Sequence, residues 1–146
     1  MKKILIILCL MCVIISVSSV GASLFDDDSL TIEGVSFDTP SGSKNVHSLD
    51  PGTGSFVLNK YTCMVSSMSE DEYQSILDEG NEVYDTFGFS KIYKSNSYDN
   101  PQLFMMFKEE GKLFKATVLP NEGANDLDDM KRVLTRFCSV NPTRSI

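Results

Sequence analysis

The chain has 146 residues, 42% of them hydrophobic and 23% charged, with nine Gly and five Pro. That composition excludes a disordered or fibrous polymer, and the length suits one globular domain. A net charge of −7 argues against a nucleic-acid partner, because phosphate backbones are held by basic patches.

The first 22 residues read as an export signal rather than as part of a fold. Lys2 and Lys3 open the chain, ILIILCLMCVIISV (4–17) is an apolar run, and SSVGAS follows it. Val20 and Ala22 stand at the −3 and −1 positions of a cleavage between Ala22 and Ser23. Left uncleaved, residues 4–22 are just long enough to anchor the chain in a membrane, so the expected setting is secreted or extracytoplasmic, with that anchor as the alternative. Neither Cys9 nor Cys12 follows the small residue that lipidation requires, and both read as apolar members of the run. The expected organisation is a signal peptide over 1–22, an acidic linker over 23–29 (SLFDDDS) and a single domain over 30–141.

LTIEGVSF (30–37) reads as a strand with Leu30 and Ile32 on one side and Val35 and Phe37 on the other, so Glu33-Gly34 marks a bulge or tight turn. Residues 41–55, rich in Gly, Ser, Asn and Pro, read as a long loop. Residues 55–65 read as the second strand, with Val57, Tyr61, Cys63 and Val65 on one face.

Residues 69–89 hold seven carboxylates and no Lys or Arg. Tyr73, Ile76, Leu77, Gly80, Val83, Tyr84 and Phe87 fall at helical spacing, Ser69 and Glu72 form a capping box, and Gly88 offers a stop. Asp78, Glu79, Glu82 and Asp85 then lie on the solvent side of one helix, as a solvated face or a docking face for a basic protein surface.

SKIYK (90–94) is a short strand, QLFMMFK (102–108) an interior strand, EEG (109–111) a hairpin connection, and KLFKATVL (112–119) its return, with Phe114, Ala116 and Val118 on one face. Asn125 can cap a last helix whose stripe is Leu127, Met130, Leu134, Phe137 and Cys138, with Asp128 to Arg132 as an i,i+4 pair. The order β-β-α-β-β-β-α with two amphipathic helices implies an α+β domain with a mainly antiparallel sheet.

Chemistry-bearing patterns are scarce. His47 is the single histidine, so zinc lacks ligands, and no Ser near it sits on a nucleophile turn that would make a triad with Asp50. Neither phosphate-binding glycine motif occurs, and NEGANDLDD (121–129) lacks the Gly and Glu of a calcium loop. No cofactor is expected. Cys63 and Cys138 form an even pair outside the signal, both on faces turned toward a sheet–helix interface, and exported chains join such pairs; a disulfide is expected.

EGVSFDTPSG (33–42) resembles the opening of small exported α+β proteins of methanogenic archaea and, through them, the PsbP/Mog1-like group. The resemblance spans residues 30–138 and implies an accessory or binding protein rather than an enzyme. The expected function is therefore a non-catalytic extracytoplasmic binding or structural module. The alternative is a small extracytoplasmic hydrolase using carboxylates, with His47 as a helper.

Overall fold

The computed structural model describes residues 29–50, 52–88, 90–95, 102–121 and 123–141; the expected signal peptide (1–22) and the expected linker apart from Ser29 lie outside them. Nine strands and two helices follow in the order β1 (Ser29–Ile32), β2 (Val35–Asp38), β3 (Lys44–Asp50), β4 (Thr53–Leu58), β5 (Tyr61–Met68), α1 (Glu70–Asp78), β6 (Glu82–Phe87), β7 (Ser90–Ser95), β8 (Gln102–Glu109), β9 (Lys112–Pro120) and α2 (Leu127–Val140). The fold is mixed α and β, dominated by an antiparallel sheet of seven strands ordered β3-β4-β5-β9-β8-β7-β6, with β1 and β2 as a separate hairpin.

Glu33 and Gly34 both take left-handed φ, +50° and +80°, which closes β1 onto β2 through a two-residue turn of the kind that matches strand twist. The turn reverses the chain instead of merely bulging it. Leu30 therefore pairs with Phe37 and Ile32 with Val35, and all four side chains go to the core rather than to opposite sides. Glu110 and Gly111 form the same kind of turn between β8 and β9.

Two further departures change the element order. Residues 44–50, expected in a loop, form edge strand β3, whose pairing with β4 shifts register twice. The expected strand over 55–65 is a hairpin, because Asn59 turns the chain at φ +57°. Phe56 and Leu58 rather than Val57 then share the buried side with Tyr61, Cys63 and Val65.

The expected 69–87 helix is cut in half. Ser69 caps α1 by accepting from the Glu72 N–H at 3.1 Å, as the sequence suggests. The helix stops at Gly80, whose φ of +70° is the left-handed C-terminal position that a side chain disfavours, and whose N–H bonds the Leu77 carbonyl. Beyond it EVYDTF, rich in β-branched and aromatic residues, pairs with β7 as the far edge strand.

One face of the sheet is sealed. Helix α2 lays Met130, Val133, Leu134, Phe137 and Cys138 against it, and the β1–β2 hairpin covers the neighbouring strands. Phe37 joins the two covers, with ring centroids 5.0 to 5.9 Å from Phe114, Phe107 and Phe137. Gly54 lets the hairpin approach: a Cβ there would stand 3.3 Å from both Ile32 and Leu30 side-chain carbons. Asn141 ties the end of α2 to β2, bonding the Asp38 N–H at 2.7 Å and its carbonyl at 2.6 Å. Asp126 rather than Asn125 caps the start of α2, accepting from the Asp128 and Asp129 N–H groups.

Candidate functional site: the cavity beneath α1

The other face of the sheet carries the alternate residues of the same strands. Tyr93, Phe104, Thr117, Met64 and Ser55 stand in one cross-strand row over β7, β8, β9, β5 and β4. Lys115 occupies the adjacent row, between Met106 of β8 and Ser66 of β5. Strands β5 and β6 run parallel because three antiparallel strands separate them, so the connection between them must cross this face. Helix α1 makes that crossing.

It crosses without packing. No residue of α1 is buried, and Leu77 is 39% exposed. Glu72, Ile76 and Glu79 recur at i, i+4 and i+7, one face of the helix, and this face looks onto the sheet across a cavity of about 530 Å3. The floor is Phe104, Lys115, Thr117, Met64, Ser66 and Leu119. Phe104 and Met106 are buried on this side as well, which explains why QLFMMFK is apolar on both faces.

Among the described residues, Lys115 is the one cation that lines the cavity. Its Nζ stands 4.8 Å from the centroid of the Phe104 ring, which is in turn stacked on Tyr93 at 5.3 Å. Among the described residues the ion pairs are Lys131 with Asp85 and Arg132 with Asp129; Lys115 belongs to neither. The acids in the lining, Glu72 and Glu79, are exposed, and Glu79 accepts from the Asn81 amide at 3.1 Å. The lining thus combines a cation over an aromatic ring with thioether and aliphatic side chains and a few hydroxyls.

The residues singled out from the sequence lie elsewhere or apart. Asp78 and Glu79 end α1, whereas Glu82 and Asp85 belong to edge strand β6, so the four do not form one acidic helix face. Asp85 bonds Lys131 of α2, which holds its carboxyl below the usual carboxylate range, helped by the Thr86 N–H. Its neighbour Tyr84 donates to Asp128, and that carboxylate pushes the phenol up to about 12. These two bonds fasten the edge strand to α2.

No disulfide joins Cys63 and Cys138, contrary to expectation. Both are thiols in the same buried cluster. Burial, with Cys138 adding to it, pushes the Cys63 thiol far up, while the Cys138 thiol meets the Met105 thioether at 3.2 Å. The two cysteines serve as core residues. His47 is exposed on β3, with Nδ1 2.7 Å from the Asn45 carbonyl, so a main-chain group and not a carboxylate orients it. No group of three or more His, Cys, Asp or Glu able to hold a metal occurs among the described residues, nor a helix long and apolar enough to cross a membrane.

No protein-family model, curated protein or solved structure matches this chain.

The sequence did carry a signal for the cavity. Placing Phe114, Ala116 and Val118 on one face of β9 puts Lys115 on the other. A neighbouring strand apolar on both faces means that this other face is covered. A cation under a cover is the combination that the search for motifs passes over.

Proposed function

We propose that the chain is a non-catalytic extracytoplasmic binding module whose ligand occupies the cavity between α1 and the sheet. The observation that carries the reading is the roof itself: α1 spans an apolar sheet face yet buries none of its own residues. A helix gains most of its stability from packing an apolar face, so a helix held off its sheet leaves surface available to a third body. Met64 and Met68 suit that role because thioether side chains adapt to differently shaped occupants. The extracytoplasmic setting rests on residues 1–22, and the accessory role agrees with what the resemblance at 33–42 implies.

A neutral apolar fluorophore, N-phenyl-1-naphthylamine, tests the reading. It should bind the native chain saturably at one site, and Ser66→Phe, which fills the floor, should abolish binding while the protein stays folded by circular dichroism. Absence of saturable binding, or binding unaffected by Ser66→Phe, would sink the reading.

A further inference from the structure

We propose that the cavity selects amphiphiles with one negative charge, an aromatic or aliphatic body ending in a single carboxylate or sulfonate, and that Lys115 is the headgroup-recognising residue. The inference deepens the binding reading above and rests on it.

Three observations converge on this ligand class. The first is the position of Lys115 in the middle of the floor, on an inner strand, where its cross-strand neighbours are Met106 and Ser66. Its stem lies on apolar surface while its ammonium rests on the Phe104 ring and pairs with no carboxylate among the described residues. An ammonium has three donors, and a ring face takes one direction only. The remaining donors point to an anionic group that the described residues do not supply.

The second is the shape of the lining. Beside Lys115 the lining presents Met64, Met68, Ile76, Leu119 and Phe104 together with Ser67, Ser95 and Gln102, so it offers apolar surface for a body attached to the anion. Ser66 and Thr117 flank the cation and can donate to the same headgroup oxygens. A small inorganic anion would satisfy Lys115 but leave the walls uncovered.

The third is the charge at the mouth. Glu72 and Glu79 line the helix side of the cavity and stand exposed. One anion held by Lys115 is balanced. A second negative charge on the same ligand would face two carboxylates with no further cation among the described lining residues, and like charges oppose entry. The lining thus favours a monoanion over a phosphate monoester and over a nucleotide.

A matched pair of fluorophores separates the headgroup from the body. 8-Anilinonaphthalene-1-sulfonate is N-phenyl-1-naphthylamine with one sulfonate added. The native chain should bind the sulfonate about tenfold more tightly than the neutral parent, the scale of one charge-assisted contact. Lys115→Met keeps the unbranched stem and should bring the ratio to about one. Lys115→Arg should restore the preference. Decanoate should displace the sulfonate more effectively than decanol, decyltrimethylammonium or decyl phosphate. A ratio near one in the native chain would overturn the headgroup inference while leaving the binding module intact. So would equal displacement by the ammonium or phosphate amphiphile, or a ratio unchanged in Lys115→Met. Failure of the neutral parent to bind at all would overturn both. An unchanged circular dichroism spectrum and urea denaturation midpoint serve as the control that Lys115→Met is folded.

Discussion

On one side of the seven-stranded sheet, Phe56, Cys63, Val65, Met105, Phe107 and Phe114 meet α2 and the β1–β2 hairpin, and each is essentially inaccessible to water. On the other, Met64, Ser66, Lys115 and Thr117 from the same inner strands meet α1 across open space. Both sides are covered by one helix, and both helices are capped by a side-chain oxygen at the start. What separates them is the stripe. Helix α2 has 14 residues and buries five of them, whereas α1 has nine and buries none. Four turns give α2 an apolar face long enough to seal its side. Two and a half turns carrying Glu72 and Glu79 on the inward face give α1 only Ile76 to lay over the sheet. Burial is thereby concentrated on one side, and the other keeps an open cavity.

The largest test of that division is on the sealed side. Phe137 is fully buried, within 6.1 Å of three aromatic centroids and stacked on Phe56. Phe137→Ala should cost about 3–5 kcal/mol by urea denaturation. A loss under about 1 kcal/mol would mean that α2 does not carry the fold.

Gly54→Val comes next. The added side chain must enter the contact between β4 and the hairpin, where a bare Cβ already meets Ile32 and Leu30 at 3.3 Å. The expected destabilisation is about 1–3 kcal/mol, read from the same denaturation midpoint. Wild-type stability in this variant would show that the hairpin can lift off the sheet, and the sealed side would then be less tightly built than α2 and the hairpin together imply.

The open side should respond differently. Ile76→Ala removes the one apolar residue that α1 turns inward, yet Ile76 is only half-buried and Ala is the better helix former. Stability should change by less than about 1 kcal/mol, while affinity for N-phenyl-1-naphthylamine falls. A stability loss as large as that of Phe137→Ala would erase the contrast between the faces.

How far the sequence reveals this division follows from where its signals are local. The last helix was legible because its apolar stripe lies within 127–138, although Asp126 rather than Asn125 caps it and Arg132 pairs with Asp129 rather than Asp128, and the β8–β9 hairpin because Glu110-Gly111 has a local turn preference. The 69–87 stretch misled because helical spacing continues through Val83, Tyr84 and Phe87, residues that suit a strand equally well; pairing with β7 decides between them, and that partner lies beyond Gly88. Strand β3 was hidden for a related reason. Its Gly- and Ser-rich surroundings look like a loop, and only the β4 edge makes it a strand. The cavity was least visible, since its floor draws on β5, β8 and β9 and its roof on α1. No single stretch holds it.

The smallest expected effect lies where the two sides meet, at the bonds from β6 to α2. Tyr84 donates to Asp128, and its phenol stands at about 12 instead of the ordinary value of 10.0. A folded-state value above the unfolded one means that the bond contributes in full below about pH 10 and is lost as pH rises through about 12. The stability difference between wild type and Tyr84→Phe should therefore be constant at neutral pH and shrink across that alkaline window. Asp85 works in the opposite sense. Its carboxyl is held below 3.8 by Lys131, so its contribution is present above that value and is lost as acid titrates the folded protein. Asp85→Asn should differ from wild type at neutral pH and converge with it in acid. Both differences should be small because the groups are solvent-screened. Denaturation midpoints against pH for the two variants, with tyrosinate absorbance following Tyr84, give the result. A Tyr84→Phe difference that persists unchanged past pH 12 would mean that the ring, and not the hydroxyl, fastens the edge strand to α2.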